Sequence, residues 1–555
     1  MASQLLLASV ATVLLITISI IIMRHLRLSP KKLVQHHLPE PTKLSQTLAS
    51  VLPNIVIFPQ DVSTFRQVIN SYWAKQECEA IPACVVQPRN DQELCTAIAI
   101  LKREYDERVE ESAEEHVGPL FAIRGGGHSP VSGAASIAGG ILIDLSLFNE
   151  VIPSEDGLSV TIGGGAKWMD VSKVLDEKGL AVVGGRNSAV GVGGLTLGGK
   201  LYVMHLAYTP ASHLATNHAA SGLSFFSPRY GLVCSNIISY QIVLASSTLT
   251  TASESENPDL WRALKGGSNN FGIVTRFTAR SFPCTKIWSG FLYMPISQAA
   301  KSLAAFHDFL NRVDSDDHNI TYDNHAAGPI VCFSYIQQLG IQTIAINLVY
   351  TKPPKKKWPV CWKTSSFASL WRLWSTCKVR TLTSATDEMN NLNPPGRRQV
   401  FATTTIKNDP ATLTATHAIY RDAIASLRAA NVKGLVWTLI LQPLLPDWVR
   451  KGDANPLGLH DINEPLVLVN FTVNWDKSPN DELVQATTRR AIEEIERVAT
   501  ENGAGHPYRY LNYCAQWQRP FEGYGEENWK FLRDVRAKYD EGGLFRWGCG
   551  GGFKI

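Results

Sequence analysis

The sequence predicts an α+β protein built as two lobes, and three observations carry that expectation. From 121 to 282, short apolar runs alternate with glycine turns, and helical stretches at 168–178 and 257–264 interrupt them. From 291 to 499 the runs lengthen. Strands such as Ile344 to Tyr350 and Leu466 to Trp475 alternate there with amphipathic stretches near 298–312, 411–428 and 480–501. A chain of 555 residues, 45% apolar and 18% charged, has material for two cores.

Along the chain, residues 1–23 read first as an anchor or signal. Leu5 to Met23 carries no charge and no proline, and nineteen residues just suffice to span a bilayer. Arg24, Arg27, Lys31 and Lys32 follow it, and no basic residue precedes it. This favours an uncleaved membrane anchor, in the endomembrane system, over a signal peptide that would release a secreted protein. Residues 24–50 read as a polar linker. Pro82 to Pro88 reads as a strand, and Asp91 to Tyr105 as a helix with Leu94, Ala97, Ile98 and Leu101 on one face. Gly140 to Asp144, Leu158 to Ile162 and Ile237 to Leu244 are the next strands. The expected domains are 51–290, 291–499 and a C-terminal segment, 500–555, that packs back on the first.

Composition excludes several functions. A net charge of +4 with no basic stripe gives no reason for nucleic acid. The ten cysteines include no CxxC pair, so no metal site is expected. Cys78 and Cys84 are near enough to bridge in an oxidising compartment, and buried free thiols are the alternative. The sequons at Asn319 and Asn470 point weakly to a secretory route, although Asn470 sits in an apolar strand.

Chemistry concentrates in two glycine stretches. Phe121-Ala122-Ile123 runs as a strand into Arg124-Gly125-Gly126-Gly127-His128-Ser129, a turn that bares backbone N–H groups and presents one imidazole. The second stretch is Val190 to Gly199, with glycines at 191, 193, 194, 198 and 199. A dinucleotide-binding GxGxxG fits neither, because Pro130 and Thr196 stand where the third glycine belongs. Gly194 to Lys200 nearly spells a P-loop, but Leu201 replaces the required Ser or Thr.

Arg124 to Pro130, Gly184-Gly185-Arg186, Val190 to Gly194, Lys265 to Val274, Tyr510 to Tyr513 and Gly551 to Lys554, in this order, resemble the FAD-linked oxidases of the berberine-bridge-enzyme type. The resemblance implies a PCMH-type two-part FAD-binding domain, with a substrate domain whose antiparallel sheet is backed by helices. It implies FAD bound covalently through His128. Cofactor contacts are implied for Arg124, Gly125, Gly126, Gly127, Ser129, Val190, Gly193, Gly194, Gly198, Ile273, Val274 and Asn512. Some relatives add a cysteine link, and Asn187 stands at that position, so a single link is expected. A small residue at Val190 is associated in the family with access of dioxygen to the flavin. Against the family pattern, about 22 residues, 200–221, are inserted in the second glycine stretch. Gly199-Lys200-Leu201 can be encoded by a sequence containing GTAAGT, a donor splice site, so a retained intron is one reading and a surface insertion the other.

On the substrate side, alternation puts Asn470, Thr472 and Asn474 on one face of their strand. Tyr510 and Tyr513 are the candidate bases. The resemblance implies hydride transfer from a small organic molecule to flavin and then to O2, giving H2O2, and a role in fungal secondary metabolism. The alternatives are a flavin dehydrogenase with another electron acceptor and a non-catalytic, membrane-tethered flavin or metabolite binder.

Overall fold

The computed structural model describes residues 39–112, 117–198, 222–313 and 323–555. The apolar run 5–23, Asn319 and the insertion 200–221 lie outside them. Among the described residues no helix is long and apolar enough to cross a membrane, and all ten cysteines are free thiols.

The fold is α+β, with three sheets among the described residues. In the first, Cys84–Val86, Ile141–Asp144 and Phe121–Arg124 run parallel. Every residue of these three strands is buried, which is why they read as unbroken apolar runs rather than alternating ones. The helix Asp91–Glu111 follows the first of them, and the Asn90 side chain caps it by accepting from Glu93 N at 3.0 Å. It runs past the expected end at Tyr105. Its last turns are charged and gain i,i+4 pairs, Lys102 with Asp106 and Glu104 with Arg108, so no apolar period marks them.

The second sheet is antiparallel and centres on Ile273–Pro283, which pairs Ser159–Gly163 on one side and Ile237–Val243 on the other. The tail returns to the first lobe. Cys549–Gly550 adds a parallel strand beside Phe121–Ala122. Asn270 holds the chain end, donating to Phe553 O at 2.8 Å and accepting from Ile555 N at 3.2 Å.

The third sheet is the second lobe. Its antiparallel path includes Ile287–Pro295, Ile341–Tyr350, Ala326–Ile336, Val436–Leu444, Leu466–Trp475 and Arg398–Lys407. All ten residues of Leu466–Trp475 are buried. The ring of Phe471 stacks on Tyr420 of the helix Pro410–Ala429, with centroids 6.5 Å apart. Asn470, Thr472 and Asn474 take the opposite face, as strand alternation requires.

One helix departs from the sequence reading. Lys43–Val51 begins inside the stretch 24–50 read as linker. Thr42 caps it, accepting from Ser45 N at 3.1 Å, and Leu44 and Leu48 pack into the core beside Leu94 and Ile98. Two apolar residues among polar ones were too sparse a pattern to announce it.

Candidate active site

The strand Phe121–Arg124 delivers the glycine turn to the surface of a cavity of about 400 Å³. Glycine loops of the first lobe form one wall, and one face of the third sheet forms the other. Gly127 has a φ of 63°, in the left-handed region where glycine carries no Cβ penalty, and the next residue, His128, reaches the cavity. The indole of Trp73 stacks on the His128 imidazole with centroids 4.4 Å apart and planes at 16°. Trp73 is itself fixed, its N donating to Gly127 O at 3.0 Å and its Nε1 to Asn393 O at 3.0 Å. His128 is half-buried and lines the cavity. Burial, helped by the Lys167 cation, pushes its ring down to about 3, so it stands as a neutral imidazole.

The two glycine stretches meet edge to edge. A Cβ on Gly126 would lie 2.4 Å from Gly191 Cα, and one on Gly191 would lie 2.6 Å from Gly126 N. Only bare backbone permits that approach. The second stretch is a short helix, Val192–Leu197, entered through Gly191. Among the described residues outside its own helix turn, a Cβ on Gly194 would meet no atom within 4 Å, so that position opens onto the cavity. A neutral imidazole beside bare backbone and an open glycine fits a flavin. His128 is the side chain that could hold one covalently.

Of the residues singled out in the sequence, Gly126, Gly127, His128, Ser129, Val190, Gly194, Tyr510, Asn512 and Tyr513 line the cavity. Six do not. The Arg124 guanidinium turns back into the protein, donating to Val68 O at 2.7 Å and to Ser71 Oγ, over the Tyr72 ring and 3.8 Å from Asp144. Gly125 and Gly193 serve packing, since a Cβ on either would meet Gly164 O, at 3.3 and 2.8 Å. Gly198 ends the short helix at φ 87° and donates its N–H to Gly194 O at 3.2 Å. Ile273 and Val274 are core residues of the second sheet.

The two tyrosines part company. Tyr510 is buried, and its hydroxyl accepts from Leu223 N at 2.9 Å. Burial pushes its phenol up to about 12, which suits a structural acceptor and not a base. Tyr513 is half-buried and lies edge-on to Tyr510 at 4.6 Å. Its hydroxyl accepts from Arg186 Nη2 at 3.3 Å and from Gln442 Nε2 at 3.2 Å, and Arg186 Nη2 also donates to Gln442 Oε1 at 2.6 Å. Two donors on the phenol oxygen leave its own hydrogen free to turn toward a ligand. Trp73 and Gln442 were missed in the sequence as site residues. Nothing local marks a tryptophan that stacks on a distant histidine, or a glutamine that meets an arginine 256 residues away.

The Asn187 side chain accepts from Ala189 N at 3.0 Å, closing its own turn. Ser188 Oγ then ties that turn to Asp387 at 3.2 Å. Asn470, Thr472 and Asn474 line the sheet wall. Asn470 is 1% exposed, which removes its sequon from any surface.

The family model for an FAD binding domain matches residues 82–213. An FAD-dependent monooxygenase of Cochliobolus heterostrophus is 33% identical over 502 residues, covering 88% of each chain. The chain belongs to the FAD-dependent oxidoreductases of this kind. Two solved structures of that fold align along nearly their whole lengths. Berberine bridge enzyme from Eschscholzia californica has a TM-score of 0.67 at 14% identity, covering 92% of this chain and 99% of that one. Glucooligosaccharide oxidase from Acremonium strictum, described with a 6-S-cysteinyl, 8α-N1-histidyl FAD, has a TM-score of 0.64 at 19% identity, with the same coverage. This FAD-linked oxidoreductase presents His128 from its glycine turn and Asn187 from the same cavity wall.

Proposed function

We propose that this chain is an FAD-linked oxidase that holds its flavin through a single covalent bond at His128. The neutral, Trp73-stacked imidazole on the cavity wall carries that reading. A ring nitrogen that bears no proton and faces the cavity is the nucleophile such a bond requires. A flavin held there by His128 would supply hydride acceptance and electron transfer to dioxygen, the chemistry that gives hydrogen peroxide.

The chain's own residues prepare that transfer. Tyr513 is placed to exchange a proton with a substrate O–H or N–H, its oxygen steadied by Arg186 and Gln442. Val190 lines the cavity with a small side chain, leaving room for dioxygen. The third sheet forms the opposite wall.

Reoxidation of the reduced enzyme in air tests this reading. Fast reoxidation with one peroxide formed per dioxygen consumed supports the oxidase. Sluggish reoxidation favours a dehydrogenase, and peroxide falling well short of the dioxygen consumed favours oxygen insertion, which the name of the Cochliobolus relative suggests. Substrate, anchoring through residues 5–23 and the fate of 200–221 are separate questions. A transcript lacking the codons for 200–221 would establish the retained intron.

A further inference from the structure

We propose that Arg186 selects a substrate bearing an oxyanion, a phenolate, enolate or carboxylate, on an otherwise apolar frame. The inference rests on the reading of the cavity as the substrate site of a flavin enzyme.

The charge inventory of the cavity is one-sided. Among the described residues no Asp, Glu or Lys lines it, and with His128 neutral Arg186 supplies its one formal charge. The hydrogen-bond partners of that guanidinium are the neutral Gln442 and Tyr513, both met through Nη2. A guanidinium has five N–H donors, so two acceptors on one nitrogen leave most of its fork for a ligand. Holding a cation beside an apolar wall is costly unless an anion completes it. Phe291, Tyr293, Ile330 and Ile440 supply that wall.

Other polar groups of the wall engage one another. Ser334 and Thr438 share one hydrogen bond across the sheet at 2.9 Å. Asn470 donates to Thr472 Oγ1 at 3.3 Å, while its Oδ1 is buried and has no partner among the described residues. That oxygen is closed to the cavity and takes no part in choosing a ligand. The complement is therefore an apolar, ring-like body with one anionic oxygen for Arg186. An amine substrate would bring a second cation to the guanidinium.

Titration calorimetry on flavin-loaded, full-length protein at neutral pH tests this with three probes of one ring system: 2-naphthoate, 2-naphthylmethanol and 2-naphthylmethylamine. Flavin loading is read first, by absorbance, so a colourless protein speaks against the function and not against Arg186. The expected order is carboxylate, then alcohol, then ammonium. Arg186→Gln should weaken the carboxylate about tenfold or more, the worth of a hydrogen bond to a charged group, and leave the alcohol within about twofold. Arg186→Lys should preserve the order, which keeps the test open should the glutamine variant fail to fold. An ammonium probe that binds wild type as tightly as the carboxylate overturns the proposal. So does a folded, yellow Arg186→Gln protein that binds the carboxylate unchanged.

Discussion

The indole of Trp73 lies flat on the imidazole of His128, with centroids 4.4 Å apart and planes 16° from parallel. The stack fixes the plane in which the histidine nitrogen approaches the cavity, and Trp73 is only 4% exposed. Trp73→Ala should therefore lower the covalently attached fraction of flavin several-fold while FAD still binds, and cost about 3–5 kcal/mol of stability. Trp73→Phe keeps a ring over His128 and should restore most of the attachment. In-gel flavin fluorescence and thermal unfolding check both.

Gly126 and Gly194 make opposite demands. Gly126→Ala forces a Cβ to 2.4 Å from Gly191 Cα and must part the two loops, so the melting temperature of the flavin-free protein should fall. Among the described residues Gly194→Ala meets no atom within 4 Å outside its own helix turn, so flavin-free stability should hold and only affinity for FAD should drop. Scanning fluorimetry with and without FAD separates the two.

Tyr513→Phe removes the hydroxyl shared by Arg186 and Gln442 and should cut kcat by about two to four orders of magnitude with the fold intact. Tyr510→Phe should instead cost about 1–3 kcal/mol, because the buried N–H of Leu223 loses its acceptor. Steady-state kinetics beside chemical denaturation distinguishes a proton-transfer residue from a structural one.

The buried imidazole also sets a pH dependence. His128 is held at about 3 in the fold against 6.5 when exposed, so the unfolded chain takes up the proton first. Its contribution is fully present above 6.5 and is lost as pH falls from 6.5 toward about 3. Flavin-free wild type should lose up to about 1.4 kcal/mol per pH unit more than His128→Gln over that window. His506, pushed down to about 4, gives a parallel slope in both proteins and cancels. Denaturant midpoints at about pH 7 and about pH 4.5 supply the comparison.

Much of this architecture was legible. The strand Leu466–Trp475 and the helix Trp168–Lys178 fall where periodicity put them, and Asn470, Thr472 and Asn474 take the face that alternation assigns. His128 and Gly127 could be read because a turn's chemistry is local. Arg124 could not. A strand-end side chain can turn to either face, and the acceptors that captured it, Val68 O and Ser71 Oγ, come from more than 50 residues upstream. Gly125 and Gly193 read as ligand glycines for the same reason, since Gly164, which crowds both, lies in the turn that follows another strand, Ser159–Gly163. Arg186, Gln442 and Tyr513 form a functional group only once three distant segments have folded together.

Acid precipitation of purified protein followed by peptide mapping tests the covalent flavin most directly. The expected result is a yellow pellet and one flavin-bearing peptide, containing His128 and no second attachment. A colourless pellet beneath a yellow supernatant, or a flavin peptide lacking His128, would contradict it.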